Sequence, residues 1–317
     1  MKTVSLGGFL MHARKNPGTL LVSYYDFRGG RLFLEKLRKA SRNGFEVQDY
    51  YGFCCEHELP FVFLPPEEER QIILKAKNEW AMLRKNLADE FSRFSLDCYL
   101  ETMETRDTGK MVPAFVEPDY KFFNRITRKF SPIPHDEEIF VDVGGWDGDT
   151  VVKFVDTVKG YKAIHSYEPL KAQFEKLKKR EFYLNNFYPH PEAASNITGE
   201  IEFAESAEAS RAAEVGMTTN CPVTRIPCVK LDDVLEEMTL LKVEVEGHEV
   251  KVIEGAAHLI KTCVPDMAIN SYHLPLDPIR IFETVARIRS YKYIAFRLHS
   301  TDPYLTTMYF SNRMPFE

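Results

Sequence analysis

The stretch Phe140-Val-Asp-Val-Gly-Gly-Trp-Asp-Gly-Asp-Thr150 constrains the fold more than any other. An apolar run from Ile139 to Val143 has strand character and stops at Gly144–Gly145. A helical pattern then begins at about Asp149. Strand, glycine turn and helix in that order make the first half of a β-α-β unit. The pattern repeats downstream. Strands are expected at Ala163–Tyr167, Ile201–Phe203, Ile226–Val229, Leu240–Val245 and Met267–Asn270. Helices are expected at Leu170–Leu184, at Leu231–Met238, through Val250, Ile253, Ala257 and Ile260, and through Ile279, Phe282 and Ala286. Alternation of this kind gives an α/β fold with a mainly parallel sheet covered on both faces. Tyr293–Leu298 and Thr306–Phe310 follow one another with no helix between, so an antiparallel hairpin should close one side.

Upstream, the prolines from Pro113 to Pro134 mark a break. The expected division is an accessory region over residues 1–125, either α/β or mostly helical, and the sheet domain over 126–317. Leu20–Tyr24 and Phe45–Gln48 read as strands, separated by a turn at Gly29–Gly30 and a helix through Leu32, Leu34 and Leu37. Pro65–Pro66 followed by Glu67–Glu69 opens a helix, since proline and acids suit a first turn. Ile73, Ala76, Trp80, Leu83, Leu87, Phe91 and Phe94 then recur at helical spacing as one apolar stripe along a single long helix. That stripe must be buried against other N-terminal elements, against the sheet domain, or against a second copy in a homodimer.

Composition narrows the partners. The net charge of −6 argues against a nucleic-acid binder. Residues 1–45 carry nine Lys/Arg against Asp26 and Glu35, and this basic run reads as a solvated face. No apolar run approaches the ~20 residues of a membrane helix, and Met1–Met11 lacks a signal-peptide core. The six cysteines form no CxxC pair, which points to reduced thiols and a cytoplasmic location.

The glycine loop lies where doubly wound sheets bind ligands, at the carboxyl ends of the strands. Glu168 closes the next strand, twenty residues after Gly148, and a carboxylate there can accept from both hydroxyls of a ribose. A dinucleotide would use a similar arrangement, but its pyrophosphate needs a helix N-terminus free of negative charge. Asp147 and Asp149 stand at that terminus, and the glycine spacing misses GxGxxG. S-adenosylmethionine carries a cationic sulfonium and ammonium, which Asp142, Asp147 or Asp149 would favour.

Four stretches carry a resemblance to one family. They are Val141-Asp-Val-Gly-Gly-Trp-Asp-Gly-Asp-Thr150; Tyr167-Glu-Pro169; Leu231-Asp-Asp-Val234 with Leu241-Lys-Val-Glu-Val-Glu-Gly-His-Glu249; and Ser271-Tyr-His273 with Arg297-Leu-His-Ser300. In order and spacing they resemble the FkbM-type methyltransferases from about Phe130 to Phe310. Leu87-Ala-Asp-Glu-Phe-Ser92 and Arg106-Asp-Thr-Gly109 are similar to the segment that precedes the domain in long members. Gly29–Gly30 and Asp49 echo a small nucleotide-fold half at the N-terminus of those members. The resemblance implies the seven-stranded class I methyltransferase sheet and S-adenosylmethionine as cofactor. It also implies O-methylation of a hydroxyl, often on a sugar or secondary metabolite. The implied cofactor residues are Asp142, Gly144, Gly145, Trp146, Gly148, Asp149, Thr150, Glu168, Pro169 and Glu244. Two positions depart from the family pattern: Glu244 replaces an aspartate and His248 an alanine.

Methyl transfer is a displacement in which the protein aligns the acceptor, and a base assists an alcohol nucleophile. His273, after the strand Met267–Asn270, is the first candidate base; Glu246 and Glu244 compete with it. Glu244, Glu246 and His248 alternate, so a continuing strand would point them one way and suit a hard cation such as Mg²⁺. A turn at Glu246–Gly247 with a helix from Glu249 is the other reading, and no metal ligand is assigned. His299 ranks below His273, and Lys242 reads as an ion-pair partner within its strand. The leading function is a methyltransferase acting on a hydroxyl of a saccharide or related small molecule. Its rival is a methyltransferase fold that binds S-adenosylmethionine without turnover, motivated by Glu244 and His248. An NAD-dependent oxidoreductase is opposed by Asp147 and Asp149. A nucleic-acid methyltransferase has only the basic N-terminus in its favour.

Overall fold

The computed structural model describes residues 21–23, 47–59, 66–116, 121–122, 136–204, 211–212, 223–300, 303 and 305–313. The turn at Gly29–Gly30 and the helix through Leu32–Leu37 lie outside them. Two short parallel strands, β1 (Leu21–Ser23) and β2 (Val47–Asp49), come first. Four helices follow: α1 (Tyr50–His57), α2 (Pro66–Lys75), α3 (Lys77–Asn86) and α4 (Glu90–Thr105).

The apolar stripe is therefore not one helix. It breaks at Ala76 and again at Leu87, where the backbone turns extended. Asp89 restarts it as an N-cap whose side chain accepts from the Ser92 N–H at 2.8 Å. A capping aspartate competes for the helix donors and so punctuates a pattern that periodicity alone reads as continuous. Ile73, Trp80, Leu83 and Leu87 are buried within the chain, and Phe94 is exposed. They share one apolar cluster with Val141, Leu241, Ile269 and Phe296 of the sheet, so burial of the stripe needs no second copy.

The main sheet contains β3 (Glu138–Val143), β4 (Tyr161–Tyr167), β5 (Phe187–His190), β10 (Leu240–Val243), β11 (Asp266–Asn270), β12 (Tyr293–Leu298) and β13 (Thr306–Ser311). Its order is β12-β13-β11-β10-β3-β4-β5, and β13 is antiparallel to both neighbours. The expected closing hairpin is thus present. β5 was not expected: Pro189 breaks its pattern, and a proline is tolerated there because the strand is at an edge. The remaining helices are α5 (Asp149–Thr157), α6 (Lys171–Lys178), α7 (Leu231–Val234), α8 (Glu249–Gly255), α9 (Ala257–Cys263) and α10 (Asp277–Ile288). Alternate residues of each strand feed opposite faces: Val141 joins the N-terminal helices, whereas Phe140 packs on Phe154 of α5.

The expected strands Ile201–Phe203 and Ile226–Val229 belong elsewhere. As β7 (Gly199–Ala204) and β9 (Val223–Val229) they pair antiparallel in a second sheet, with β6 (Ala193–Ala194) and β8 (Arg211–Ala212). β7 pairs antiparallel with β8 as well as with β9, so its place in this sheet needs no parallel crossover.

α4 docks on the edge strand β12. Arg297 is fully buried there; it donates to Ser92, pairs with Asp89 at 3.3 Å and stands 5.2 Å from the centre of the Phe91 ring. The Ala88 N–H donates to the Ile294 carbonyl at 2.8 Å and the Val116 N–H to the Leu298 carbonyl at 2.8 Å, so the segments around Ala88 and Val116 cover an edge that would otherwise be open.

Candidate active site

The chain runs from β3 to β4 and β5 on one side, then returns to β10 and β11 on the other. The crevice lies between β3 and β10, at the carboxyl ends of the strands. There Gly144 adopts φ +84°, and a Cβ on it would overlap the Glu244 carbonyl oxygen. Only glycine lets the loop after β3 lie against the end of β10. The N–H groups of Gly144 and Gly145 both donate to the Tyr167 carbonyl, at 3.0 and 2.9 Å, tying the loop to β4. Gly148, also left-handed, caps α5.

Glu168 is buried at the end of β4. Its carboxylate accepts from the Trp146 N–H and the Leu170 N–H, each at 2.9 Å. Burial pushes its carboxyl up, against the pull of those two donors. Two backbone bonds leave lone pairs on both oxygens and fix the plane in which they point.

A cavity of about 390 Å³ opens here, within the ~300–1,000 Å³ of small-molecule sites. Gly144, Trp146, Asp149, Thr150, Glu168, Pro169, Glu244 and Glu246 line it, joined by an apolar wall that includes Ala193, Ala194, Ile201 and Phe203. Asp142, Gly145, Gly148 and His273 do not line it. Asp142 lies beneath the floor: the Lys242 ammonium is 3.1 Å away, the Ser166 hydroxyl donates to it at 2.8 Å, and Lys242 also donates to the Gly144 carbonyl at 2.7 Å. Asp142 thus supports the loop from below. Lys242 is the ion-pair partner its strand position suggests.

The other wall is made of side chains. Glu244 accepts from Asn270, from Lys121 at 2.6 Å and from the Tyr272 hydroxyl at 3.3 Å, with Lys242 at 3.8 Å. Burial opposes its charge, but the two ammonium groups prevail and hold its carboxyl near 2. A carboxylate so engaged is a poor base. Lys121, Asn270 and Tyr272 were not anticipated. Asn270 and Tyr272 flank the strand end that directed attention to His273, whereas Lys121 is 123 residues from its partner and has no local signal.

Glu246 and Gly247 turn through positive φ, +55° and +96°, and α8 starts at Glu249. The strand therefore does not continue, and Glu244, Glu246 and His248 do not align for a cation. His248 bonds the Ser195 hydroxyl at 2.9 Å. Glu246 holds its left-handed backbone at the cavity wall with its side chain 33% exposed; the His273 side chain is fully buried. His273 has its Nδ1 2.8 Å from Glu249 and its Nε2 3.4 Å from Glu246. His299, also buried, bonds the Tyr309 hydroxyl at 2.9 Å and faces the Val116 carbonyl, which makes it a structural residue.

A seven-stranded sheet of this order, with a glycine loop and a strand-end glutamate around one cavity, defines a class I methyltransferase fold. Residues 142–295 match the methyltransferase FkbM domain, so the chain carries a domain of that family, whose cofactor is S-adenosylmethionine. Methyltransferase FkbM from Methylobacillus flagellatus KT is similar over 97% of this chain and 77% of its own, with 20% identity and a TM-score of 0.72. Its extent includes the N-terminal helices, so the likeness in fold is not confined to the sheet. Fibrillarin from Aeropyrum pernix, solved with S-adenosylmethionine, covers 56% of this chain and 67% of its own at 13% identity and a TM-score of 0.37. An rRNA methylase from Streptococcus thermophilus covers 56% and 88% at 12% identity and a TM-score of 0.36. These two scores are too low to bear on this chain's chemistry. No curated protein matches the sequence. Among the described residues no helix is long and apolar enough to cross a membrane.

Proposed function

We propose that the chain transfers the methyl group of S-adenosylmethionine to a hydroxyl oxygen of a saccharide or a related small molecule. The observation that carries this reading is one cavity with two carboxylates in different settings: Glu168, locked by backbone donors, and Glu246, open on the opposite wall. The cradle fits the cofactor. Glu168 has lone pairs for two ribose hydroxyls, Ala193, Ala194, Ile201 and Phe203 offer an apolar face for a base, and Asp149 suits a cationic amine.

S-adenosylmethionine supplies an electrophilic methyl on a sulfonium. The residues of the chain hold the two reactants in line, and alignment of this kind is worth ~7–11 kcal/mol. Glu246 accepts the acceptor's hydroxyl proton as the oxygen–carbon bond forms, a contribution of roughly 10²–10⁴-fold. His273 is a positioning residue that holds Glu246 from behind. Lys121, Glu244, Asn270 and Tyr272 set a polar network beneath the acceptor side, which suits a ligand with several hydroxyls. Residues 1–125 act as the accessory region that braces the edge of the sheet.

Calorimetry with S-adenosylhomocysteine and with NAD tests the cofactor, and mass spectrometry over a panel of saccharides and other alcohols tests the acceptor. NAD binding without S-adenosylhomocysteine binding would overturn the reading. Cofactor binding with no methyl transfer to any acceptor would favour the alternative, a binding protein whose Glu244 is already saturated by Lys121.

A further inference from the structure

Behind the wall formed by Glu246, His273 belongs to a cluster whose other members, Glu249 and Asp277, have no part in the proposed methyl transfer. Glu249 opens α8, His273 sits in the loop after β11, and Asp277 opens α10. All three are within 2% of complete burial. One donor atom from each lies within 4.8 Å of the others. We propose that Glu249, His273 and Asp277 bind a divalent first-row metal ion, of the kind represented by Zn²⁺ or Mn²⁺.

The donor atoms are distributed as such a site requires. The Glu249 Oε1 accepts from the Val245 N–H at 3.0 Å and faces His273 Nδ1 at 2.8 Å. Its other oxygen, Oε2, is buried and has no hydrogen-bond partner. A buried carboxylate oxygen without a donor costs free energy unless something cationic meets it. Asp277 uses Oδ2 to accept from the Leu274 N–H at 2.7 Å, which fixes the carboxylate and leaves Oδ1 for a ligand. His273 turns its second nitrogen, Nε2, to the Glu246 carboxylate at 3.4 Å. Metal-bound imidazoles commonly donate their other N–H to a carboxylate in this way, which sets the tautomer and the ring plane.

Charge points in the same direction. Three carboxylates, Glu249, Asp277 and Glu246, face a single imidazole. One imidazole with two carboxylates suits a first-row metal better than Mg²⁺ or Ca²⁺, which prefer all-oxygen sets. Bonds of ~2.0–2.2 Å bring donors to within roughly 4 Å of each other, so a small closure of the three side chains completes the set. The ion would tie the β10–α8 turn to the β11–α10 loop, and through His273 would hold Glu246 at the cavity.

The test needs neither cofactor nor acceptor, so it can fail without affecting the methyl-transfer reading, and the reverse. The full chain, freed of metal with a chelator, is titrated with Zn²⁺ and with Mn²⁺ by calorimetry. One equivalent should bind with micromolar or tighter affinity and raise the melting temperature. Glu246→Gln should weaken binding ~10–100-fold, the usual cost of an outer-sphere partner. Asp277→Asn and Glu249→Gln should abolish stoichiometric binding. Should those variants fail to fold, electron spin-echo spectroscopy of Mn²⁺ on the unmodified chain should show one directly bound imidazole nitrogen. No binding tighter than millimolar, full binding by both carboxamide variants, or a Mn²⁺ signal without histidine nitrogen would each overturn the proposal.

Discussion

The two walls of the cavity are built on different principles. The wall at the ends of β3 and β4, which we propose holds the cofactor, is mainly backbone. Gly144 and Gly145 donate to Tyr167, and Trp146 and Leu170 donate to Glu168. Its parts lie within thirty residues of one another, and Glu168, which shares the wall with Asp149, is fixed by main-chain N–H groups. The wall at the ends of β10 and β11, which we propose faces the acceptor, presents Glu244 and Glu246 to the cavity, with Lys121, Asn270 and Tyr272 bonded to Glu244 and His273 behind Glu246. Main-chain cradles suit a ligand that never changes, whereas side-chain networks can be altered one residue at a time. Of the two departures from the pattern that the resemblance implies, Glu244 belongs to this side-chain network, whereas His248 bonds Ser195 beside the apolar lining of Ala193 and Ala194.

The sharpest division between the walls is kinetic. Glu246→Gln should lower turnover by ~10²–10⁴-fold, as loss of a general base does, with unchanged affinity for S-adenosylhomocysteine. His273→Gln should lower turnover less and leave the carboxylate in place. A stopped assay with the best acceptor of the panel, paired with calorimetry, measures both quantities. Equal turnover in Glu246→Gln and the unmodified chain would remove the base from this wall.

Gly144→Ala strikes the point where the walls touch. A left-handed φ costs a non-glycine residue ~1–3 kcal/mol, and here the new methyl also meets the Glu244 carbonyl. Stability to urea should drop by at least that amount, and both cofactor affinity and turnover should suffer. A variant weakened in only one of the two would show that the loop does not couple them.

Glu168→Ala confines the damage to the cofactor wall. Each charge-assisted hydrogen bond lost costs ~1.5–3 kcal/mol, so S-adenosylhomocysteine affinity should fall by roughly 10–150-fold. Turnover at saturating cofactor should change far less. Unchanged affinity by calorimetry would place the ribose elsewhere.

The same contrast explains what could be read in the sequence. The loop and the strand-end glutamate of the first wall were legible as geometry because strand, glycine turn and strand-end acid are local in the chain. The parallel sheet and its antiparallel closure were legible for the same reason. Periodicity misled over the stripe from Ile73 to Leu87, because it records which face is buried and not where the chain bends; Asp89 carried that information. The strands β7 and β9 were visible as strands, but their sheet was not, since pairing depends on what lies between them. On the acceptor wall, Glu244, Glu246 and His273 were visible as chemistry. That Glu244 and Glu246 line the cavity while His273 does not depends on a positive φ at Glu246 and on packing of loops far apart in sequence. Lys121 was invisible, although it decides the state of Glu244.

That last pairing gives the smallest of the expected effects. Glu244 faces Lys121 and Lys242, with His273 adding a lesser attraction. Burial alone would raise its carboxyl, and the ammonium groups bring it to about 2 from an ordinary 4.5. A carboxyl depressed on folding stabilises the native state above its unfolded pKa, and that share is lost as pH falls toward the folded value. The native state of the unmodified chain should therefore exceed Glu244→Gln in stability by a constant margin above pH 4.5. The margin should shrink steadily as pH drops from 4.5 toward 2. The side chain is 26% exposed, so solvent screening leaves the titrating part on the order of 1–2 kcal/mol. Urea unfolding of both proteins at pH 6, 5, 4 and 3.5 measures it. A margin that stays flat to pH 3.5 would mean that Glu244 titrates alike in both states, which the contact with Lys121 does not permit. Lys121→Met separates the pair from the rest of the wall: it should bring the Glu244 carboxyl up toward its unfolded value and so flatten the loss of stability between pH 4.5 and 2.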